Sequence, residues 1–386
     1  MLRFLTAGES HGKALVAIIE GLPAGLELDT ERINLLLKRR QGGFGRGTRM
    51  TLEEDRVEIF SGLRGAVTLG TPLTMVIYNR DWENWQEFLN PHAEAVLSER
   101  VVTRPRPGHA DLAGGLKYRQ GDLRNILERA SARETAARVA VGAVAEELLS
   151  CFGIKLQGQV VAIGEVQAER QEKIVDSRLL YANPVYCPDE KASLSMVRVI
   201  EQAGKQGDSL GGVIQVIAEG VPAGLGSYVH WDRRLDGQLA QALMSIPAVK
   251  GVEIGGGFTA ASLFGSQVHD EITYQQGQGF AHRTNRAGGI EGGISNGEAL
   301  VIRAALKPIP TLAQPLASVD WQTKEPVTAA VERGDVCAVP AAAIVAEAVT
   351  AWVVASALME KFGGDHLKET LLNYQNYLQY LKSGAL

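Results

Sequence analysis

Arginines beside glycines and prolines recur along the chain, and this pattern is typical of a site for anions. The clearest segments are the loop 39–49, with Arg40, Arg46 and Arg49, the segment 104–111, with Arg106, and the segment 129–136, with Arg133. Arginine binds phosphate or carboxylate through paired N–H groups, and glycine lets the backbone approach a ligand. Each segment alone could be structural. Together they predict a pocket for a ligand with several negative charges.

The segment Gly8-Glu-Ser-His-Gly12 matches the G-x-S-x-G pattern of a nucleophile elbow, so a serine hydrolase using Ser10 is an alternative. An elbow joins a strand to a helix, whereas residues 13–19 are predicted to form a strand. An ordinary hairpin that happens to contain His11 is also open. Further along, Asp335 precedes a nearly uncharged segment, where it could simply cap a helix.

Composition limits the possible classes of protein. The 386 residues carry a net charge of −5, which argues against an RNA-binding protein that would use the arginine loops. The three cysteines are widely separated and predict a reducing, cytoplasmic location. The longest apolar run, residues 338–359, contains Glu347 and is predicted to be a buried helix rather than a membrane span. No metal site is expected.

The elements that must position these residues are short strands and helices. Strands are predicted at residues 4–6, 16–19, 57–60 and 73–78, and a helix is predicted to begin after Asp29 or Thr30. A long alanine-rich helix is predicted over residues 130–152, ending at Gly153. Short strands and long apolar helices without regular alternation indicate an α+β fold.

The second part of the chain resembles the first. Glu20-Gly-Leu-Pro-Ala-Gly-Leu26 resembles Glu219-Gly-Val-Pro-Ala-Gly-Leu225, and two weaker matches follow in the same order. We therefore expect an internal pseudo-duplication, with halves at roughly residues 1–153 and 210–363 that share one core. Chance recurrence of glycine turns is the alternative.

Six segments, in order from residue 8 to residue 340, resemble the chorismate synthase family. They are GESHG, RPGHAD, RASARETA, RTNRAGGIEGGISNG, KPIPT and RGDVCAVP. The resemblance implies one domain over residues 1–386, folded as a sandwich of antiparallel sheets around a helical layer, and a homotetramer. It also implies a lyase that converts 5-enolpyruvylshikimate 3-phosphate to chorismate and phosphate by 1,4-elimination, the last common step of aromatic amino acid biosynthesis.

The resemblance further implies reduced FMN as cofactor, although no net oxidation occurs. An intrinsic NADPH-dependent flavin reductase is one possible source of electrons. We expect an external flavin reductant instead, because the family's segments fill the chain and leave no added reductase domain.

Site roles follow from the resemblance, residue by residue. The implied catalytic residues are His11, which protonates the departing phosphate, His109, at the flavin's pyrimidine edge, and Asp335, in proton removal. The implied substrate-binding residues are Ser10, Arg40, Arg46, Arg49, Arg106 and Arg133, and the family also links Arg40 and Arg46 to NADP. The implied FMN-binding residues are Arg129, Ala130, Ser131, Pro247, Ala248, Gly292, Lys307, Pro308, Ile309, Pro310, Thr311 and Arg333. Pro247 departs from the family's common asparagine, which weakens the expected flavin contact there.

Overall fold

The computed structural model describes residues 1–47, 53–92, 96–332 and 334–383. The strands are β1 Arg3–Ala7, β2 Ala14–Glu20, β3 Glu58–Ser61, β4 Leu63–Arg64, β5 Val67–Thr68, β6 Leu73–Tyr78, β7 Lys155–Ile163, β8 Val166–Gln167, β9 Gly212–Glu219, β10 Val249–Ile254, β11 Ile272–Gln275, β12 Gly279–His282, β13 Ile290–Glu291, β14 Ile294–Ser295, β15 Leu300–Leu306, β16 Ala317–Val319 and β17 Pro326–Thr328. The helices are α1 Thr30–Gln41, α2 Asp111–Tyr118, α3 Arg124–Ala130, α4 Thr135–Ser150, α5 Ser177–Ala182, α6 Glu190–Lys205, α7 Leu235–Met244, α8 Gly257–Ala260, α9 Gly265–Val268, α10 Val339–Phe362 and α11 Leu367–Ser383.

A four-stranded antiparallel sheet has the order β1-β2-β6-β3, so the strands predicted in the first eighty residues are confirmed. Ile19 lies opposite Leu73 in the β2–β6 register, and both side chains are fully buried. Leu5 lies opposite Ile18, and both are exposed. Because successive side chains of a strand point to opposite faces, one face of this sheet packs on the core.

A five-stranded antiparallel sheet from the second part of the chain has the order β10-β15-β9-β7-β8. Its long strands are buried along almost their whole length, which explains their rows of valine and isoleucine. At Gly158 on β7, an added Cβ would lie 2.2 Å from the carbonyl oxygen of Ala343. Glycine at this position therefore lets α10 pack directly against the strand.

Helices α4 and α10 connect the two sheets. Helix α4 packs against β2 and β6, α10 packs against β7 and β9, and the two helices pack extensively on each other. Gly142 lies at their crossing, where an added Cβ would come within 2.3 Å of the Cβ atom of Ala348. One hydrophobic cluster contains residues of both sheets and both helices. This arrangement places the N-terminal ends of α4 and α10 near the loops that carry the candidate site.

Local capping explains one confirmed helix and one prediction that is partly wrong. Helix α1 begins after Asp29, whose carboxylate accepts a hydrogen bond from the Glu31 N–H at 2.9 Å. The long helix predicted over residues 130–152 is instead broken at Ser131, which has extended backbone with ψ 141°. Its hydroxyl caps a 3-10 turn at Ala132–Glu134, and α4 follows. A serine side chain that binds nearby backbone competes with helix continuation.

The predicted buried helix at residues 338–359 is confirmed as α10. It is the one helix in the described ranges that is long and apolar enough to cross a membrane, but 89% of its most apolar window is buried inside the protein. A buried core helix can be as long and as apolar as a membrane-spanning helix.

Candidate active site

A cavity of about 860 Å³ lies beside the N-terminal ends of α4 and α10. Its volume is near the upper end of the roughly 300–1,000 Å³ that is typical of ligand sites. Loops and helix ends far apart in sequence form its wall, including Ser10, His11, Arg40, Arg46, Trp85, Arg100, Arg106, His109, Arg133, Lys307 and Asp335. The cavity is therefore rich in cations and contains all three predicted catalytic residues.

His11 lies on the turn between β1 and β2, and its ring orientation is fixed from two sides. Nδ1 lies 2.8 Å from Oε1 of Glu128, and the backbone N–H of His11 donates to Oε2 of the same carboxylate at 2.8 Å. The imidazole stacks on Trp85 with ring centroids 4.1 Å apart. Because this turn joins two antiparallel strands, the nucleophile-elbow alternative for Ser10 is not supported.

His109 belongs to a second buried ion-pair cluster. Its Nδ1 lies 2.6 Å from Oδ1 of Asp111, and Arg106 donates from Nε to Oδ2 of the same carboxylate at 2.8 Å. Arg106 also donates to the Thr311 hydroxyl at 3.0 Å. Burial alone would raise the pKa of Asp111, but hydrogen bonds from His109 and Arg106 hold it well below its ordinary value. Asp111 therefore remains ionised and orients both His109 and Arg106.

Arg40 and Arg133 share one buried carboxylate. Arg133 donates from Nη1 to Oδ1 of Asp55 at 2.6 Å, and Arg40 donates from Nη1 to Oδ2 at 3.3 Å. Arg40 also donates to the Thr135 hydroxyl at 2.9 Å. Burial lowers the pKa of Arg40 to about 10, while Asp55 raises it. Arg133 also lies 3.9 Å from Oε2 of the buried Glu53, so two carboxylates balance these two cations.

Asp335 contacts the basic loop that follows α1 (residues 42–47), although the two lie 288 positions apart in the sequence. Its Oδ2 lies 2.6 Å from Nη1 of Arg46, and its Oδ1 accepts from the Gly47 N–H at 2.6 Å. Helix α10 has Ala338 at its N-cap and no side-chain cap. The alternative that Asp335 simply caps this helix is therefore wrong. Its carboxylate instead joins the basic loop to the start of α10.

Two lining cations have no carboxylate partner among the residues that the structure describes. Arg100 lies over the rings of Trp85 and Phe88, at 4.1 and 4.2 Å from the ring centroids. Nζ of Lys307 donates to the Gly108 carbonyl, at 2.9 Å. Burial, and to a lesser degree Lys250, lowers the pKa of Lys307. These two side chains add positive charge that no described carboxylate balances.

Most of the predicted site residues line the cavity. Of the predicted set, the lining contains Ser10, His11, Arg40, Arg46, Arg106, His109, Ala130, Ser131, Arg133, Pro247, Ala248, Lys307, Ile309, Pro310, Thr311 and Asp335. Pro308 and Gly292 are not in the lining, and Arg129 instead donates to the carbonyl groups of Thr6 and Gly8. Arg49 and Arg333 lie outside the described residues.

The lining can accommodate the flavin that the resemblance implies. Pro247, Ala248 and Ile309 give an apolar wall suited to a flat ring, and Lys307 and Thr311 give donors suited to a phosphate. In the described ranges no group of three or more His, Cys, Asp or Glu side chains could hold a metal ion.

Sequence reasoning missed the acids and the aromatic ring that hold the predicted residues in place: Asp55, Trp85, Asp111 and Glu128. Asp111 ends the quoted RPGHAD segment, and Glu128 directly precedes RASARETA, so adjacency to a motif was an available signal. Trp85 lies in a tryptophan-rich polar stretch, D-W-E-N-W, that has no core periodicity. Asp55 had no comparable signal.

Comparisons with known proteins agree with this geometry. The family model described as chorismate synthase matches residues 2–359. The chain is 63% identical to a chorismate synthase of Moorella thermoacetica over 98% of this chain and 100% of that protein. It is 58% identical to one of Desulforamulus reducens over 99% of this chain and 100% of that protein. A crystal structure of chorismate synthase, 44% identical, superposes with a TM-score of 0.79 over 99% of this chain and 98% of that chain.

Proposed function

The chain belongs to the chorismate synthase family of lyases, and we propose that the cavity binds 5-enolpyruvylshikimate 3-phosphate and converts it to chorismate and phosphate. The observation that carries the proposal is one cavity lined by His11, His109 and Asp335 together with five arginines and a lysine. In the reaction the C–O bond to phosphate breaks, and a C–H bond breaks on the carbon in 1,4 relation to it.

The charge of the cavity suits this substrate, which carries two carboxylates and a phosphate. Arg40 and Arg133 line the cavity, and Arg100 and Lys307, also in its lining, have no described carboxylate partner. Charge-assisted hydrogen bonds from such side chains are stronger in a site that excludes water. We propose that they hold the substrate's anions and stabilise the phosphate as it leaves.

His11 is the proposed acid for the departing phosphate. Because its Nδ1 lies against Glu128, Nε2 is the ring nitrogen that can serve a molecule in the cavity. The Nε2–H bond breaks, and an O–H bond forms on the phosphate oxygen. General acid catalysis of this kind typically contributes roughly 10²–10⁴-fold.

Asp335 and His109 are proposed to act on the other side of the reaction. Asp335 is partly exposed to the cavity and can take part in removing the proton, while Arg46 and the Gly47 N–H fix its orientation. His109, fixed by Asp111, is proposed to lie at the pyrimidine edge of the flavin.

Reduced FMN, when bound, supplies electron density to the substrate reversibly, so that no net oxidation results. The residues proposed to hold it are Ala130, Ser131, Pro247, Ala248, Lys307, Ile309, Pro310 and Thr311. Arg129, Gly292 and Pro308 remain part of the proposal as family positions beyond the lining, and Arg333 lies outside the described residues. The roles of Arg40 and Arg46 toward NADP, the external flavin reductant, the cytoplasmic location and the homotetramer are likewise proposals drawn from the family.

We also propose that the chain is one domain, folded as a sheet–helix–sheet sandwich that arose by duplication. The contacts of α4 and α10 with different sheets support the sandwich. Matching turns support the duplication. Thr68 donates to the Pro23 carbonyl at 2.6 Å, and Ser295 donates to the Pro222 carbonyl at 2.6 Å. Each hydroxyl also accepts from the backbone N–H of the leucine that ends its repeat segment, at 2.9 and 2.8 Å.

A binding experiment tests the cavity as the flavin and substrate site. Lys307→Met should weaken binding of reduced FMN, measured anaerobically with substrate present. Loss of one charge-assisted hydrogen bond is worth about 1.5–3 kcal/mol, a factor of roughly 10–150. Lys173→Met, at an exposed position outside the cavity, is the matched control and should bind as wild type. Equal affinity of both variants for reduced FMN would show that Lys307 does not bind the flavin.

A further inference from the structure

We propose that Glu128 is a positioning residue that fixes the ring of His11 and keeps a proton on its Nδ1. The inference rests on the proposed role of His11 as the acid. Glu128 lies on α3 and is 3% exposed. It belongs neither to the predicted substrate-binding residues nor to the predicted FMN-binding residues. It acts through His11 rather than on the reacting atoms.

Both the carboxylate and the backbone carbonyl of Glu128 are hydrogen-bonded to the turn between β1 and β2. Its carboxylate accepts from the backbone N–H of His11 at 2.8 Å and contacts the ring Nδ1 at 2.8 Å. Its backbone carbonyl accepts from the Ser10 N–H at 2.9 Å. Both the backbone and the ring of His11 are therefore hydrogen-bonded to the same residue. The ring cannot rotate without breaking a buried hydrogen bond.

The chemistry of the carboxylate determines where the histidine proton lies. An ionised carboxylate only accepts hydrogen bonds, so an imidazole nitrogen 2.8 Å away must donate. Nδ1 therefore carries a proton whether the ring is neutral or charged. Nε2 is then the nitrogen that gains and loses a proton on the cavity side, as an acid for the leaving phosphate requires.

The surroundings of Glu128 support its charge and the orientation of the ring. Arg124 lies 3.7 Å from Oε1 of Glu128 and also pairs with Glu332 at 2.9 Å. On the ring side, Trp85 stacks on His11 at an interplanar angle of 24°, and its indole N–H donates to Asp81 at 3.1 Å. The imidazole is thus held in its plane by the indole and in its direction by the carboxylate.

The other acids that pair with residues of the cavity wall have different partners. Asp55 pairs with the two arginines, Asp111 pairs with His109 and Arg106, and Asp335 pairs with Arg46. Among these acids, Glu128 is the one that contacts the proposed acid His11. Replacing it should leave the substrate arginines and His109 in place.

Glu128→Gln tests the inference with two independent readouts. The amide oxygen can still accept from the His11 N–H, but the amide N–H₂ can now donate to Nδ1, so the fixed tautomer is lost. In ¹⁵N-histidine NMR spectra, assigned with His11→Asn, wild type should show a protonated Nδ1 at every pH where it is folded. The variant should show a mixture of tautomers. Its kcat should fall roughly 10–100-fold, the loss typical when the hydrogen-bond partner of a metal-ligating histidine is removed, with KM little changed.

Glu134→Gln is the matched control, because Glu134 is also buried but pairs with Arg138 and lies outside the cavity lining. It should keep both the wild-type spectrum and the wild-type kcat. A wild-type spectrum with Nδ1 unprotonated would overturn the inference even if Glu128→Gln did not fold. An active wild type with an equally active Glu128→Gln would overturn it alone, whereas an inactive wild type would overturn the proposed function.

Discussion

Replacing Asp55 with Asn should destabilise the protein, because two buried guanidinium groups would lose the carboxylate that they share. The side chains of Arg40 and Arg133 are 5% and 2% exposed, and that of Asp55 is fully buried. The lowered pKa of Arg40, about 10, shows that burial penalises its charge and that Asp55 offsets part of this penalty. Without this carboxylate, the two like charges would face each other in the protein interior with Glu53, 3.9 Å from Arg133, as the remaining carboxylate.

The size of the effect follows from the burial of the pair. Removing one partner of a buried ion pair typically costs about 3–5 kcal/mol. Asn keeps one acceptor oxygen, so we expect the lower part of that range. With about 2.1 cal/mol/K of unfolding entropy per residue over 386 residues, the full range corresponds to a decrease in Tm of about 4–6 °C. The misplaced arginines should also raise KM for the substrate.

The assay is thermal unfolding followed by circular dichroism, without ligand and at one pH. Asp176→Asn is the matched control, because Asp176 also pairs with an arginine and caps a helix but is exposed. Asn is about as good a cap as Asp, so the control should melt with the wild type. If Asp55→Asn also melts within about 1 °C of the wild type, the shared carboxylate does not stabilise the arginine pair and the reasoning is refuted.

The remaining predictions concern other charged groups. Burial raises the pKa of Glu146, and the neighbouring Glu347 raises it further, so its favourable contribution is present below the ordinary carboxyl pKa of 4.5 and is lost as pH rises through the higher folded-state value. Glu146→Gln should therefore raise Tm at pH 8 and raise it less near pH 4.5; a gain independent of pH would contradict this. His11→Ala should lower turnover by roughly 10²–10⁴-fold with flavin binding nearly intact, whereas His109→Ala should change the spectrum of bound reduced flavin, and the reverse pattern would exchange their roles. Asp335→Asn should melt within a few degrees of the wild type yet lose most single-turnover activity, because Asn accepts no proton; a near-wild-type rate would exclude Asp335 from the proton-removal step.

Much of the fold could be predicted because its signals are local. Asp29 is a good N-cap, and the long apolar run of α10, interrupted by Glu347, is typical of a buried helix. The break at Ser131 was missed because serine can either continue a helix or cap a new turn, and tertiary contacts decide between them. Sheet order was equally out of reach, since β2 pairs with β6 across about fifty residues and no local pattern specifies that pairing.

The residues of the candidate site likewise divide into those with local sequence signals and those that depend on long-range contacts. Its cations and histidines could be predicted because their types and neighbours reveal their chemistry, and the resemblance assigned their roles. Their counter-ions could not, because Asp55 and Glu128 lie 78 and 117 positions from Arg133 and His11 and meet them only in the fold. Without the counter-ions the sequence also overstated the free charge, since Arg46 and Arg106 are each paired with a carboxylate.

The central claim is that this chain converts 5-enolpyruvylshikimate 3-phosphate to chorismate only with reduced flavin. The most direct measurement is anaerobic incubation of the purified protein with that substrate and chemically reduced FMN, with chorismate and phosphate quantified together. We predict equal amounts of the two products, and none with oxidised FMN in the absence of a reductant. Well-folded protein that forms no chorismate with reduced FMN, or that releases phosphate without chorismate, would contradict the account.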